Sequence, residues 1–288
     1  MSLDPRTSAN PLVGRATSWL EAVNGRHPWN HNEHFHGWVV RRVPRGAGVV
    51  LDVGCGAGVL LGRLRRRVAE VHGIDADAGM VAQAVVRHVA DPAVTVRRLT
   101  FDDVRSPADV RSPADVRSPA DVRSPAESGR PPGRPGGLDT PAREGYDAVT
   151  MVAVLHHLDL DEALRHARDL LAPGGRLLVV GLARTASARD LAVDGASALL
   201  NPLVGLVKHP RRARPGDPGP DAPGMPVRDP GHSVDEVARA ARVLLPGARV
   251  RRRLFFRYAL EWTAPRRPGH DRFGARAPSA AWEDGSHA

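Results

Sequence analysis

The residues of this chain best suited to chemistry sit at the ends of short apolar runs. Val49-Val50-Leu51-Asp52-Val53 is followed at once by Gly54-Cys55-Gly56-Ala57-Gly58, so an acidic residue and three glycines meet where a buried strand turns into a helix. Glycines at such a turn let a ligand approach the backbone, and the helix start offers its positive end. Because Val59 stands where a dinucleotide-binding turn needs its third glycine, the spacing argues against NAD. A second acidic residue, Asp75, closes the run Glu70 to Ile74, and the pair His156-His157 follows the run Tyr146 to Val152. An imidazole titrates where it can take a proton from a hydroxyl or amine, so His156 and His157 are candidate general bases; the alternative is that they shape the loop. His27, His31, His34 and His36 invite a metal, but only Glu33 accompanies them as a carboxylate. With Trp29, Phe35 and Trp38 beside them they read as a lid helix over a ligand, and no metal is expected. Those three aromatics, with Phe255, Tyr258 and Trp262, are candidates to line an apolar acceptor pocket, though core packing explains the last three equally well.

The elements that must position these groups alternate between strand and helix, the pattern of a parallel sheet with crossover helices. Strands are expected at Val49 to Val53, Glu70 to Ile74, Val94 to Leu99, Tyr146 to Val152 and Arg176 to Val180. Helices are expected from about Gly58, over Ala78 to His88, after an Asp159 or Asp161 cap, and over Val234 to Leu245. Pro173-Gly174-Gly175 should stop the third helix, and Ala248 to Leu254 with Tyr258 to Thr263 should form an antiparallel pair at a sheet edge. Residues 103–126 are four identical copies of Asp-Val-Arg-Ser-Pro-Ala, followed by a Gly/Pro-rich stretch to Pro141. A proline in every copy opposes helix and central strand, so the repeat reads as a disordered surface insertion over 103–141. Leu191 to Val207 is apolar but broken by Asp194, Asn201 and Pro202, and belongs to a capping insertion over 182–231. The expected organisation is thus an N-terminal helical arm or lid over 1–43, a main α/β domain over 44–264, and a disordered tail over 265–288.

The chain has 288 residues, 42% of them hydrophobic, enough for one α/β domain with residues to spare. A net charge of +9 would ordinarily point to nucleic acid. Here Lys208 is the only lysine, and Arg, Ala, Gly and Pro abound together, as GC-rich coding produces, so the basicity is read as solvated faces and no nucleic-acid partner is expected. Cys55, the single cysteine, has no disulfide partner. With no apolar stretch of spanning length and no leader pattern, a soluble, cytoplasmic protein without a membrane partner is expected.

The order hydrophobic-hydrophobic-Asp-x-Gly-x-Gly-x-Gly at Val50 to Gly58, with Asp75 downstream, resembles motif I of the class I S-adenosylmethionine (SAM)-dependent methyltransferases. Tyr146-Asp147-Ala148-Val149 followed by Leu155-His156-His157-Leu158 resembles motif IV of the small-molecule, ubiquinone/menaquinone-biosynthesis-like branch. Leu171-Ala172-Pro173-Gly174-Gly175-Arg176-Leu177 is similar to that family's turn into strand five. The likeness covers residues 30 to 181 apart from the repeat, with a looser one at Tyr258 to Trp262. It implies a Rossmann-like fold with a mostly parallel seven-stranded sheet flanked by helices and an antiparallel last strand. It also implies SAM as cofactor and methylation of a small-molecule acceptor; RNA or protein methylation, or SAM binding without catalysis, are the rivals. By the same resemblance, Asp52 orients the methionine amino group, Gly54 and Gly56 line the methionyl chain, and Cys55 and Gly58 complete the cofactor loop. Asp75 accepts the ribose hydroxyls or caps the next helix, or both, and Ala76 and Met80 border adenine. Asp102 with Phe101 reads the adenine amine and ring, with Asp103 or Thr100 as alternatives. The acceptor's identity, the methylated atom and the oligomeric state are not legible in these residues.

Overall fold

The computed structural model describes residues 30–111, 145–208 and 229–266. Strand β1 (Val49–Val53), an interior strand of the sheet, is buried at every position, as a mostly apolar β-branched run should be. Helix α1 (His31–Arg42) precedes it, and α2 (Val59–Arg65), β2 (Glu70–Asp75), α3 (Ala78–His88) and β3 (Val94–Arg98) follow. Next come the short helix α4 (Pro107–Arg111), β4 (Tyr146–Val152), α5 (Leu160–Asp169) and β5 (Leu171–Leu182). The described chain ends with α6 (Ala188–Lys208), α7 (Val234–Leu244), β6 (Arg249–Arg253) and β7 (Arg257–Thr263). The seven strands lie in the order β3-β2-β1-β4-β5-β7-β6. The first five are parallel, and β7 enters antiparallel between β5 and β6. This is the Rossmann-like architecture expected, with its antiparallel last strand.

Two apolar layers cover the sheet. Phe35, Trp38 and Val39 of α1 and Leu60, Leu61 and Leu64 of α2 pack on one face. Ala163, Leu164 and Ala167 of α5 and Val237 and Ala241 of α7 pack on the other. From His31 onward, then, the segment expected to be an arm is a layer of the domain. Arg42 pairs with Glu261 at 2.9 Å and receives Arg176 Nη1 on its carbonyl at 2.8 Å, which fixes the end of α1 to β5 and β7. The rest of that arm, Trp19, Leu20 and Val23 included, lies outside the described residues, as do 267–288 of the expected tail.

Two expectations need correction. The repeat does not leave the fold at 103: Val104 and Val110 are fully buried, and Pro107 opens α4. Proline is tolerated in a first helical turn, where its missing N–H has no partner to lose. Arg111, in the second copy, binds Glu70 through two bonds of 2.8 and 2.6 Å, and this holds the Glu70 carboxyl down at about 2. Glu70 also lies 2.7 Å from His72 Nε2, while His72 Nδ1 lies 3.0 Å from the Tyr146 hydroxyl. A carboxylate only accepts, so Nε2 carries the proton and Nδ1 accepts from the phenol. One repeat arginine is thereby tied through a buried imidazole to the start of β4. The apolar run Leu191 to Val207 lies within α6, which includes Asn201 and Pro202, the proline forfeiting one backbone bond. The other correction is that β5 starts at Leu171, paired with Tyr146, and Pro173-Gly174-Gly175 makes a bulge inside the strand pair, since α5 has already ended at Asp169.

Val110→Ala is expected to lower stability by roughly 1–3 kcal/mol, the cost of methyl groups removed from a closed core site. Urea unfolding checks it; an unchanged midpoint would return the first copies to the surface.

Candidate active site at the ends of strands one, two and four

The turn after β1 can be made only by glycine. Gly54, Gly56 and Gly58 have φ of 65°, 51° and 78°, all left-handed, where an L side chain costs about 1–2 kcal/mol per residue. At Gly54 a side chain would also overlap the Val154 methyl, so the loops after β1 and β4 meet with no room between them. At Gly56 the reverse holds: nothing lies within 4 Å of the place a Cβ would take. The loop is fastened from behind. Cys55 N–H donates to the Ile74 carbonyl at 3.0 Å, and from α3 Arg87 Nε donates to the Ala57 carbonyl at 2.8 Å while His88 Nε2 reaches the Gly58 carbonyl at 2.8 Å.

Asp75 joins this loop to the end of β2. Its carboxylate accepts the Gly56 amide through Oδ2 and the Asp77 amide through Oδ1, each at 2.9 Å. It does not cap α3. Asp77 does, accepting the Met80 amide at 2.8 Å, so the N-cap reading of Asp75 is replaced by a bridge between two turns. Ala76 is exposed beside it, its carbonyl held by Arg98 Nε at 3.2 Å, and Met80 is buried at the start of α3.

Asp52 is 2% exposed and sits opposite Thr150 of β4, whose hydroxyl donates to its carboxyl at 2.6 Å. Burial pushes this carboxyl up to about 7, Thr150 opposes the shift and the nearby Asp75 charge adds to it. The Cys55 side chain faces the core, where a Cβ on Gly73 would stand 3.0 Å from its sulfur, and burial pushes the thiol up. It presents no reactive thiolate.

At the end of β3, Thr100 and Asp103 form a reciprocal cap, with Asp103 Oδ2 taking the Thr100 hydroxyl at 2.7 Å and its amide at 3.2 Å. Phe101 turns its ring into the core against His166, centroids 4.6 Å apart. Asp102 alone of the three acidic or hydroxyl candidates stays exposed with no side-chain partner recorded among the described residues. At the end of β4, Ala153 is left-handed at φ 58°, its amide bound to the Val180 carbonyl at 2.8 Å. The short 3₁₀ turn Leu155–His157 follows, with the imidazoles of His156 and His157 4.0 Å apart. His31 and His34 instead stack on and against Phe255, and His36 is buried. Among the described residues no three His, Cys, Asp or Glu side chains gather closely enough to hold an ion. His27 lies outside the described residues.

A family model described as a methyltransferase domain matches residues 51–177. An uncharacterized methyltransferase of Mycobacterium tuberculosis (strain ATCC 25618 / H37Rv) is 30% identical over 244 residues, 83% of this chain and 98% of the relative. The chain belongs to the class I SAM-dependent methyltransferase family. A ubiquinone biosynthesis O-methyltransferase of Pseudomonas syringae pv. syringae is 29% identical over 169 residues, 58% of each chain. A solved SAM-dependent methyltransferase from Aquifex aeolicus shares 14% identity over 91% of this chain and 99% of its own, with a TM-score of 0.45, a likeness too loose to add to the assignment.

Within a methyltransferase of this family the structure gathers Asp52, the three glycines and Asp75 around one turn, and brings the His156-His157 turn against it through Val154. Thr150, Val154, Asp77, Arg87 and His88 are the contributors that motif reading passes over. The first of them is set opposite Asp52 by the parallel register of β1 and β4.

Removing the Thr150 hydroxyl removes the one contact that lowers the Asp52 carboxyl, so Thr150→Val should move its titration upward from about 7. The sign for stability follows: a carboxyl raised above its unfolded value costs nothing at low pH and destabilises progressively as pH climbs from about 4 toward 7. Carboxyl NMR titration of wild type and Thr150→Val checks the shift, and no upward movement would deny the hydroxyl its role.

Proposed function

We propose that this chain transfers a methyl group from SAM to a small-molecule acceptor by in-line displacement. The observation that carries the cofactor's place is the open, left-handed Gly56, next to the Asp75 carboxylate, in a turn braced on three sides. Open space over a left-handed glycine, with a carboxylate beside it, leaves room for a ligand lying along the backbone. Gly54 and Gly56 would run beside the methionyl chain, Asp52 would face its ammonium, and Asp75 would take the ribose hydroxyls in exchange for the two amides it holds. Ala76 and Met80 would border the adenine, with Asp102 and the Phe101 amide at its edge; the capping duty of Asp103 supports Asp102 over it.

Bound SAM supplies a sulfonium methyl that is electrophilic at carbon. The protein's own work is alignment, exclusion of water and removal of the acceptor's proton. His156 and His157 are our candidates for accepting that proton at an imidazole nitrogen. The match to ubiquinone biosynthesis O-methyltransferases favours a hydroxyl acceptor, and the missing Asn-Pro-Pro-Tyr-like sequence at motif IV weighs against a flipped base.

Calorimetric titration with S-adenosylhomocysteine tests the cofactor reading. Wild type should bind; Gly56→Ala and Asp75→Ala should each weaken binding at least tenfold, with Gly56→Ala losing only about 1–2 kcal/mol of stability. Absence of binding by wild type would sink the assignment of this site. Labelled SAM offered with a metabolite extract, and separately with total RNA, should label the extract; label entering RNA alone would overturn the small-molecule acceptor.

A further inference from the structure

Helix α3 ends on a side chain that α2 leaves room to receive. Met80, Ala84 and His88 recur at intervals of four on one face of α3, the first two of them buried, and this face lies against Gly58. A Cβ on Gly58 would stand 3.1 Å from Ala84 Cβ and 3.0 Å from His88 Nε2. One on Gly62, a turn further along α2, would stand 3.1 Å from His88 Cε1. Two glycines one helical turn apart therefore form a notch, and the His88 imidazole lies in it. Gly58 is also demanded by its left-handed backbone, but Gly62 sits in the middle of α2 with no positive φ, where glycine is a poor helix former. Seating the His88 ring is the contribution that Gly62 makes.

From this notch His88 Nε2 reaches the Gly58 carbonyl oxygen at 2.8 Å. A carbonyl only accepts, so Nε2 carries the proton and donates. The same oxygen has the Gly62 amide at 3.5 Å, so the imidazole makes the shorter of its two bonds. No side chain caps the start of α2, which leaves this bond to fix the last peptide of the turn. Because the peptide is planar and trans, a carbonyl aimed at α3 turns the following amide, that of Val59, away from α3. Arg87 Nε ties the Ala57 carbonyl in the same direction, but from an exposed guanidinium where water competes, whereas His88 is half-buried. The other end of α3 reaches the turn as well: Asp75 accepts both the Asp77 amide, beside the helix start, and the Gly56 amide.

We propose that His88 is a positioning residue for the cofactor, holding the Ala57-Gly58 end of the turn in the form that the methionyl half of SAM requires, with Gly62 as its seat. The inference rests on the cofactor reading above. His88 acts through the Gly58 carbonyl and not on a reacting atom. In that reading the adenine lies by Ala76 and Met80, at the start of α3, so loss of His88 falls on the methionyl half of the ligand and spares the adenosine half.

Calorimetry with S-adenosylhomocysteine and with adenosine tests this. His88→Ala should weaken S-adenosylhomocysteine roughly fivefold or more and leave adenosine affinity unchanged, and His88→Gln, which keeps a donor, should recover most of the loss. Gly62→Ala should weaken S-adenosylhomocysteine by displacing the ring, with a melting temperature equal to or above that of wild type, and should cost nothing further in the His88→Ala background. Unchanged S-adenosylhomocysteine affinity in His88→Ala, equal losses for both ligands, or a Gly62→Ala loss as large without His88 as with it would each overturn the proposal. Amide exchange without ligand gives an independent reading: the Gly58 amide, bound to the Cys55 carbonyl at 3.0 Å, should exchange faster in His88→Ala. Failure of wild type to bind S-adenosylhomocysteine would defeat the cofactor site, and an unchanged Gly58 exchange rate would defeat the hold of His88 on the turn.

Discussion

Everything at the working end of this protein depends on the closeness of two loops. The chain leaving β1 passes Val154 with no space for even a methyl group at Gly54, and the sheet does not relax to make room, because β1 and β4 are locked in register below. Asp147 accepts the Gly48 and Val49 amides at 2.6 and 3.0 Å at the start of that pair, and Thr150 meets Asp52 near its end. A rigid parallel pair therefore delivers both loops to one place, and the left-handed backbone at Gly54, Gly56 and Ala153 is what the chain accepts to turn away from it. Such local cost is borne by the buried sheet beneath.

The same sheet explains the unusual titration of Asp52. A carboxyl in the middle of the most buried strand has one hydroxyl donor and an acidic neighbour, so its ionised form is poorly served until a cation arrives. An ammonium group would be such a cation. Ligand binding and proton release would then be coupled at this residue, with the folded protein holding its proton near neutrality.

Much of this was legible before any coordinates. Apolar runs fall on β1 and β4 to the residue and on β2 to within one, and the alternation of runs with helical spacing is enough to order the layers. The glycine turn, Asp75 and the histidine pair lie at the strand ends where their positions in the chain put them. What escaped reading is decided by partners far away in sequence. Asp75 and Asp77 are both fit to cap α3, and only the position of the Gly56 amide assigns them. Asp102 and Asp103 look alike until the Thr100 hydroxyl claims one. Proline argued for leaving the fold at 103, yet a proline in a first turn is tolerated when packing rewards the helix. Arginine was read as compositional excess, whereas several arginines here are structural ties: Arg42 to Glu261, Arg111 to Glu70 and Arg252 to Asp190.

The repeat's first residues carry a consequence for how this gene can vary. Val104, Val110 and Arg111 occupy core and anchoring positions, but the copies that follow are letter-for-letter the same. Losing or gaining a whole copy by slipped replication leaves the packed segment 103–111 spelled as before, as long as two copies remain. The stretch is thus insulated from changes in copy number while remaining exposed to point mutation in its first nine residues. Two kinds of mutation that strike the same DNA would be filtered with opposite severity.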